Sequence, residues 1–524
     1  MDQTTLLRLP RAAADPVPKS TYNAAMDQLE RTLGNVGARA TTEFYIDPVA
    51  GNDATADGSA ARPFKTWNAL RNSGLIPRLI QQTLYVNILE GHLEESLQIV
   101  SLDVAAQANL YFRAIPRVPA GLPYPYNLFL TGVKDAVITT GILSGTATSG
   151  TVRRITRTGA GWTPGELRGK AYVITGGTNQ FNWGRVFDNG VDWFEVSGIF
   201  TTPFDNTSQF YFVEEAVLVK PSAVGYSPSP LYMFGDGGFG TIRFEGIAFE
   251  IQDSLYGRNA FLAYDVAVNL YFNVCSLRGS QAAVTAGASQ HVLMNTSGLF
   301  PLGEVRFDAC DIFVPTTISG IYTGALWAYG PNGKWQFYGC TLNDNVQVYY
   351  GCPDFLMNLC SMKYKPNITE PSLMRTVTGC RMIQVYWDSD NRSQFVRMDG
   401  GTNFDVRYSQ FENALGDGFF TYDHHGGGGE MLLQATEING CSGHGLNIGG
   451  NGVIILHDAK TDPTKLNGGF GVKLRAGTIA YYLGTNTIKG TLGDVNLGDG
   501  VTPVANSTPA TDTTHLTRTC PRFG

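Results

Sequence analysis

RFEGIAF at positions 243–249 returns as YFNVCSL at 271–277, RFDACDI at 306–312, QFYGCTL at 336–342, LMNLCSM at 356–362 and TVTGCRM at 376–382. Looser copies follow as VRYSQF at 406–411 and LLQATEI at 432–438. In each, an apolar residue precedes a small or sulfur-bearing one by three positions, and another apolar residue follows it by two. The marked positions are Ile247, Cys275, Cys310, Cys340, Cys360, Cys380, Ser409 and Thr436, at spacings of 28, 35, 30, 20, 20, 29 and 27 residues. Strand-like alternation repeated at such intervals predicts a chain coiled as a solenoid, each turn covering the apolar face of its neighbour.

The composition agrees. Of 524 residues, 62 are Gly, 24 Tyr and 29 Phe, with only 16% charged, which suits short strands joined by tight turns and predicts an all-β protein. The length allows several domains or one long coil. The formal net charge is −7 and no basic run occurs, which argues against nucleic acid as a partner. Nowhere does an apolar run reach the length of a membrane span, and Met1-Asp2-Gln3-Thr4-Thr5 has no basic-then-apolar signal character. The expectation is a protein made in a cytoplasm.

Eight cysteines invite a disulfide reading, but five share the repeated position. Stacked at strand spacing, about 4.8 Å, they make a ladder of small buried thiols, and a ladder does not converge on a metal. No metal site and no cofactor motif is expected.

Taken in order, residues 1–42 begin as a Pro- and Ala-containing arm. From Ser20 to Leu33 the apolar residues Tyr22, Met26, Leu29 and Leu33 fall on one helical face, with Ser20 as N-cap and Gly34 just past the end. So short a helix needs partners, either other copies or another protein. Residues 43–145 hold a capping segment and the first rungs. Within it come Phe44-Tyr45-Ile46-Asp47-Pro48, Gly51-Asn52-Asp53, Asp57-Gly58 and Pro63-Phe64-Lys65-Thr66-Trp67. A solenoid must cover its open first edge, and a helix from Thr66 to Arg71 laid across it does so. Asp47, Asp53 and Asp57 lack the EF-hand order and its closing Glu, and read as turn formers.

That aromatic-Ile-Asp, Gly-Asn-Asp, Asp-Gly, Pro-Phe-Lys-Thr pattern resembles the opening segment of bacteriophage tail spikes and tail fibres. The resemblance covers about 25 residues and implies a pectate-lyase-like right-handed parallel β-helix, a homotrimer, and a place in the virion. Short apolar runs among turns at 146–220 predict an inserted antiparallel β module. Residues 221–465 are the main coil, and 466–524 its last strands and an extended tail.

Equal offsets on successive rungs form columns. Eight residues beyond Cys380, Ser409 and Thr436 stand Asp388, Asp417 and His444, a candidate acid–base column for polysaccharide cleavage. Asp-Gly and Gly-His-Gly are also plain turn sequences, and unequal rung lengths weaken the alignment. Tyr349, Tyr350, Tyr364, Tyr386, Trp387 and Tyr422 are candidate platforms for sugar rings. The expected function is a trimeric phage appendage that recognises host-surface glycans and grips other virion proteins through residues 1–42. A head fibre or capsid decoration protein has the same features. The alternative is a polysaccharide depolymerase, a hydrolase or lyase.

Overall fold

The computed structural model describes residues 42–116, 142, 144–213, 215–221, 229–251, 260–264, 266–279, 290–295, 303–313, 323–329, 333–343, 346–349, 352, 354–363, 372–375, 377, 379–390, 393–399, 402–422, 429–449, 453–475, 478–483, 486–497 and 502–503. The expected helix with Tyr22, Met26, Leu29 and Leu33 lies outside these residues, as do Tyr350 and Tyr364.

Three long parallel sheets form the walls of one coil, with 14, 10 and 12 strands among the described residues. One rung is Asn269–Asn273, Ser276–Arg278 and Gln290–Asn295, and the next is Glu304–Asp308, Asp311–Phe313 and Thr323–Tyr329. Rungs pair in register, so Tyr271 lies opposite Arg306 and Ser276 opposite Asp311. The cause is the alternation in the repeat: in Asn269–Asn273 and Glu304–Asp308 every second residue is buried, and the intervening ones face out. Among the described residues the protein is a parallel β solenoid, nearly all β with almost no helix.

Inside the 14-strand wall, Phe112, Phe244, Phe272, Phe307 and Phe337 stack in sequence with ring centroids 5.3, 4.9, 4.7 and 5.0 Å apart. Strand spacing itself sets these distances, so identical side chains in register stack without adjustment.

The 14- and 10-strand walls meet at a bend made by one residue per rung in the left-handed region: Gly246, Val274, Ala309, Gly339, Leu359, Gln384, Tyr408, Ala435 and Asp458. The residue after each points into the corner. There stand Ile247, Cys275, Cys310 and Cys340, then Cys360, Val385, Ser409, Thr436 and Ala459, all buried. The cysteines touch: the Cys310 amide donates to Cys340 Sγ at 3.3 Å, and Cys310 Sγ donates to the Phe272 carbonyl at 3.5 Å. Burial pushes the thiols of Cys275, Cys310 and Cys340 far up, so they remain protonated.

Cys380 departs from the expected ladder. It lies five residues before the corner, opposite Phe355 and Phe404 inside the 14-strand wall. The true copy is Arg381-Met382-Ile383-Gln384-Val385-Tyr386-Trp387, with Val385 in the corner.

The first edge is closed by the helix Trp67–Asn72. Thr66 caps it, accepting the Ala69 amide at 3.1 Å, and Trp67 is buried edge-on against Phe112 at 5.0 Å. Asp53 accepts the amides of Lys65 and Thr66 at 2.7 and 3.0 Å, and Asp47 those of Val49 and Ala50 at 2.9 Å each, which is turn chemistry.

An antiparallel sheet of seven strands occupies Ser144–Val213 around its own core of Trp162, Phe194, Phe210 and Phe212. Val217–Val219, placed within the module by sequence, is instead a rung strand of the 10-strand wall, paired with Gly91–Leu93 and Ile247–Glu250. The module lies across the corners of successive rungs. Arg185 donates to the carbonyls of Ala309 and Cys275 and to Glu215, while Ser197 Oγ donates to Gly339 O, and the amides of Gly198 and Ile199 to Ser361 Oγ and Gln384 O. One bond or more per rung fixes it to the coil.

Candidate functional site

The register correction separates the residues aligned by sequence. Counted from Val385, Asp388 stands at offset three, where Ser409 gives Glu412 and Thr436 gives Asn439; these three pair across adjacent strands of the 10-strand wall. Asp417 and His444 belong to a different edge, at the entrance to the strands Phe419–Tyr422 and Leu446–Ile448 of the 12-strand wall. The structure brings Asp417 to His444 and leaves Asp388 on another wall.

On that other wall, Asp388 and Glu412 are tied down. Asp388 Oδ1 accepts the Asp390 amide at 2.9 Å and Asn413 Nδ2 at 3.0 Å. Glu412 Oε1 accepts Gln410 Nε2 at 2.6 Å and Lys465 Nζ at 2.8 Å, and its Oε2 accepts the Tyr386 hydroxyl at 3.3 Å. Tyr386 is covered by the module, with Phe187 edge-on at 5.5 Å and the Arg153 guanidinium stacked on its ring, and burial raises its hydroxyl pKa. Trp387 points into the coil, wholly buried among Phe395 and Phe411. Neither ring is a platform for sugar, because alternation puts Trp387 inside and the docked module hides Tyr386.

The outward register of the 12-strand wall is different. One unbroken column runs Gln98, Tyr232, Leu262, Met294, Trp327, Gln347, Leu373, Arg397, Phe420, Asn447 and Lys473. The residues beside Gln98, Tyr232, Arg397, Phe420 and Lys473, namely Leu97, Leu231, Val396, Phe419 and Val472, are core, which turns those five members of the column to the outside. Phe234 and Tyr264 pair beside it, as do Tyr329 and Tyr349, and Arg375, Asp399 and Tyr422. Tyr349 and Tyr422, chosen from sequence, therefore sit on one wall. Trp327, Phe420, Asn447 and Lys473 were missed. Their signal was the apolar residue that precedes each, once rungs are aligned on the corner.

At the end of this column a polar group is built on tight turns. Asp417 Oδ1 accepts the His444 amide at 2.8 Å, and Oδ2 accepts Asn447 Nδ2 at 2.7 Å. A Cβ on Gly443 would meet Asp417 Oδ1 at 2.6 Å, and one on Gly469 would meet His444 Nδ1 at 2.5 Å, so glycine is required at both. His444 Nδ1 accepts the Phe470 amide at 2.9 Å, which assigns its proton to Nε2, and the imidazole stacks on Phe470 at 5.7 Å. Burial first, and then Lys473, hold the His444 pKa below its usual value against the pull of Asp417. The ring is thus a neutral donor at neutral pH. With both Asp417 oxygens accepting N–H bonds, this carboxylate is a fixed acceptor that orients His444 and Asn447. Arg475 is bonded to the Thr421 carbonyl, with its guanidinium 5.1 Å from the centre of the Phe420 ring.

No group of three or more His, Cys, Asp or Glu among the described residues is placed to hold a metal ion. No helix among them is long and apolar enough to cross a membrane.

The fold and site thus define a parallel β solenoid with an antiparallel module on one wall and an aromatic, polar column along another. No family model and no curated protein matches the chain. Solved structures similar to it include the GH136 lacto-N-biosidase from Eubacterium ramulus, at 11% identity over 92% of this chain and 70% of that one, TM-score 0.36. The tailspike of Pseudomonas phage phi297 is similar at 12% identity over 80% and 71%, TM-score 0.29. The tailspike of Acinetobacter baumannii phage AP22, solved with a capsular saccharide, is similar at 11% identity over 85% and 74%, TM-score 0.21. Likeness this distant carries no argument about chemistry.

Proposed function

We propose that this chain is a phage virion appendage that recognises host-surface glycans along the outer face of its 12-strand wall. The observation that carries the reading is the register of the 12-strand wall that turns Tyr232 and Phe420 outward and holds Trp327 between them in sequence of strands, closed by the donor-rich Asp417–His444–Asn447 group. Aromatic rings on an outer face can stack on sugar units, and fixed polar groups orient them. Twelve strands at about 4.8 Å give a face on the order of 50 Å long, suited to a polymer. The opening segment at 44–67 supports the tail spike or tail fibre assignment through its resemblance. In this reading the chain is a homotrimer anchored to other virion proteins through residues 1–42, and a head fibre or capsid decoration is the same molecule placed elsewhere on the particle. Deleting 1–42 tests the anchor: the truncated chain should fold and still bind glycan while failing to join particles, and normal incorporation would refute it.

Binding without cleavage is favoured because Asp417 has no uncommitted oxygen and Asp388 lies on another wall. The depolymerase reading rests on a different observation, the in-register pair Asp388 and Glu412. On adjacent strands they approach the roughly 5–5.5 Å carboxyl separation of retaining glycosidases. Shortening of a bound polysaccharide that Glu412→Gln abolishes would establish it.

A further inference from the structure

Two aromatic side chains stand out to solvent where the 12-strand wall turns into the 14-strand wall. In the strand Leu231–Phe234, Leu231 and Met233 are buried, and Phe234 is 43% exposed on the outer side. The turn that follows reads Gly235-Asp236-Gly237-Gly238-Phe239-Gly240, and its Phe239 is 84% exposed. This turn is pinned by the rungs on both sides. Gly237 and Gly238 pair with Asp103 and Val104, and the Gly240 amide donates to the Val104 carbonyl at 2.9 Å. The Ala267 amide donates to the Asp236 carbonyl at 2.9 Å, and the buried Asp236 carboxylate accepts the Leu102 amide at 2.8 Å. Gly238 stands at φ 99°, and a Cβ there would meet the Val104 carbonyl oxygen at 2.1 Å, so only glycine lets the chain pass. The ring of Phe239 is thus carried on a fixed backbone. Its neighbours Gly238 and Gly240 add no side chain, which makes the apolar surface one ring wide. A stable protein interface buries about 800 Å² per partner, whereas one ring is the size of one sugar unit.

We infer that Phe234 and Phe239 form a second sugar platform, so that one polysaccharide chain is held at two points of the wall, here and at Phe420. Seven strand pairings separate Leu231–Phe234 from Phe419–Tyr422, which at about 4.8 Å each is roughly 34 Å. A fragment shorter than this span occupies one platform or the other. A longer one reaches both, and its second contact forms within the same complex at high effective concentration. The ligand is therefore a long internal stretch of polymer, not a chain end or a short oligosaccharide. This rests on the reading of the wall as a glycan-binding face.

The test is an array of bacterial surface polysaccharides, followed by fragments of each bound polymer graded by length below and above that span. The full-length chain is compared with Phe239→Ser, Phe239→Tyr and Phe234→Ser/Phe239→Ser. Expected is weak binding of short fragments, alike within about twofold in all four proteins, and a rise of about tenfold or more once fragments exceed the span. The double variant should lose that rise, Phe239→Ser should lose part of it, and Phe239→Tyr, which keeps a ring, should retain it. Because Phe239 is exposed, Phe239→Ser should keep the parent thermal midpoint, and it tests the platform even where the double variant fails to fold. Short fragments that bind as tightly as long ones, or a rise unchanged in Phe239→Ser and in the double variant, overturn the second platform and leave glycan recognition standing. Unchanged polysaccharide binding with failure of Phe239→Ser to join particles would assign the ring to a protein contact and also overturn it. Binding to no polysaccharide at all removes both readings.

Discussion

Arg185 of the antiparallel module and Glu215 of the coil form an ion pair at 2.7 Å with both side chains wholly buried. Glu215 also accepts the Ser276 hydroxyl at 2.5 Å, and Arg185 donates to the carbonyls of Gly169, Cys275 and Ala309. Removing one partner strands a buried charge, so Arg185→Met should cost about 3–5 kcal/mol, read as a lowered unfolding midpoint. Arg185→Met with Glu215→Leu should recover a large part of that loss. If the double variant is no better than the single, the carbonyl bonds rather than the ion pair hold the module.

The aromatic ladder predicts a second cost. Phe307 is stacked between Phe272 and Phe337 and fully buried. Phe307→Ala should lose about 3–5 kcal/mol, whereas Arg306→Ala, outward on the same strand, should lose under about 1 kcal/mol by chemical denaturation. Equal losses would mean that the alternation is misassigned.

Asp236 gives a pH prediction. It is fully buried, its Oδ1 accepts the Leu102 amide at 2.8 Å, and its Oδ2 has no partner among the described residues. Burial, with Asp103 nearby, pushes its pKa up to about 7. The folded chain therefore holds a proton that the unfolded chain releases near pH 4, and stability falls as pH rises from about 4 to about 7, then levels. Asp236→Asn should flatten that slope by up to about 1.4 kcal/mol per pH unit. Glu95, Glu245 and Asp308, also raised by burial, leave a residual slope in the same direction. An unchanged slope in the variant would show that Asp236 does not carry the proton.

The coil was legible because its signal is local: a two-residue alternation, broken once per rung at a tight corner. Register was harder. Cys380 satisfied the repeat by chemistry, since the inside of a strand and the inside of a corner both select a small buried apolar residue. The left-handed residue before the corner is what tells them apart, and Gln384 marks Val385 where no cysteine stands. That slip of five residues put Asp388 in line with Asp417 and hid its actual neighbour Glu412. Trp387 was misread for the same reason, because a displaced register exchanges the inside for the outside. Phe420, Asn447 and Lys473 became visible only through strand pairing, since 27 and 26 residues separate members of the column and no local pattern links them.

The thiols offer a check on the corrected corner. Cys275, Cys310, Cys340, Cys352, Cys360, Cys380 and Cys441 are all buried and unbridged. A thiol reagent should leave these seven unmodified in the native protein and reach them only on unfolding, counted by mass. Rapid modification of Cys310 or Cys340 in the native state would contradict a closed ladder.

Glycan recognition by the 12-strand wall is decided most directly by comparing Phe420→Ala with Asp388→Asn in equilibrium binding to the host's surface polysaccharide. Loss of a stacked ring should weaken binding by about 1–2 kcal/mol, roughly tenfold, in Phe420→Ala, with Asp388→Asn within twofold of the parent. The opposite pattern, Phe420→Ala unchanged and Asp388→Asn impaired, would place the glycan on the 10-strand wall and contradict the account.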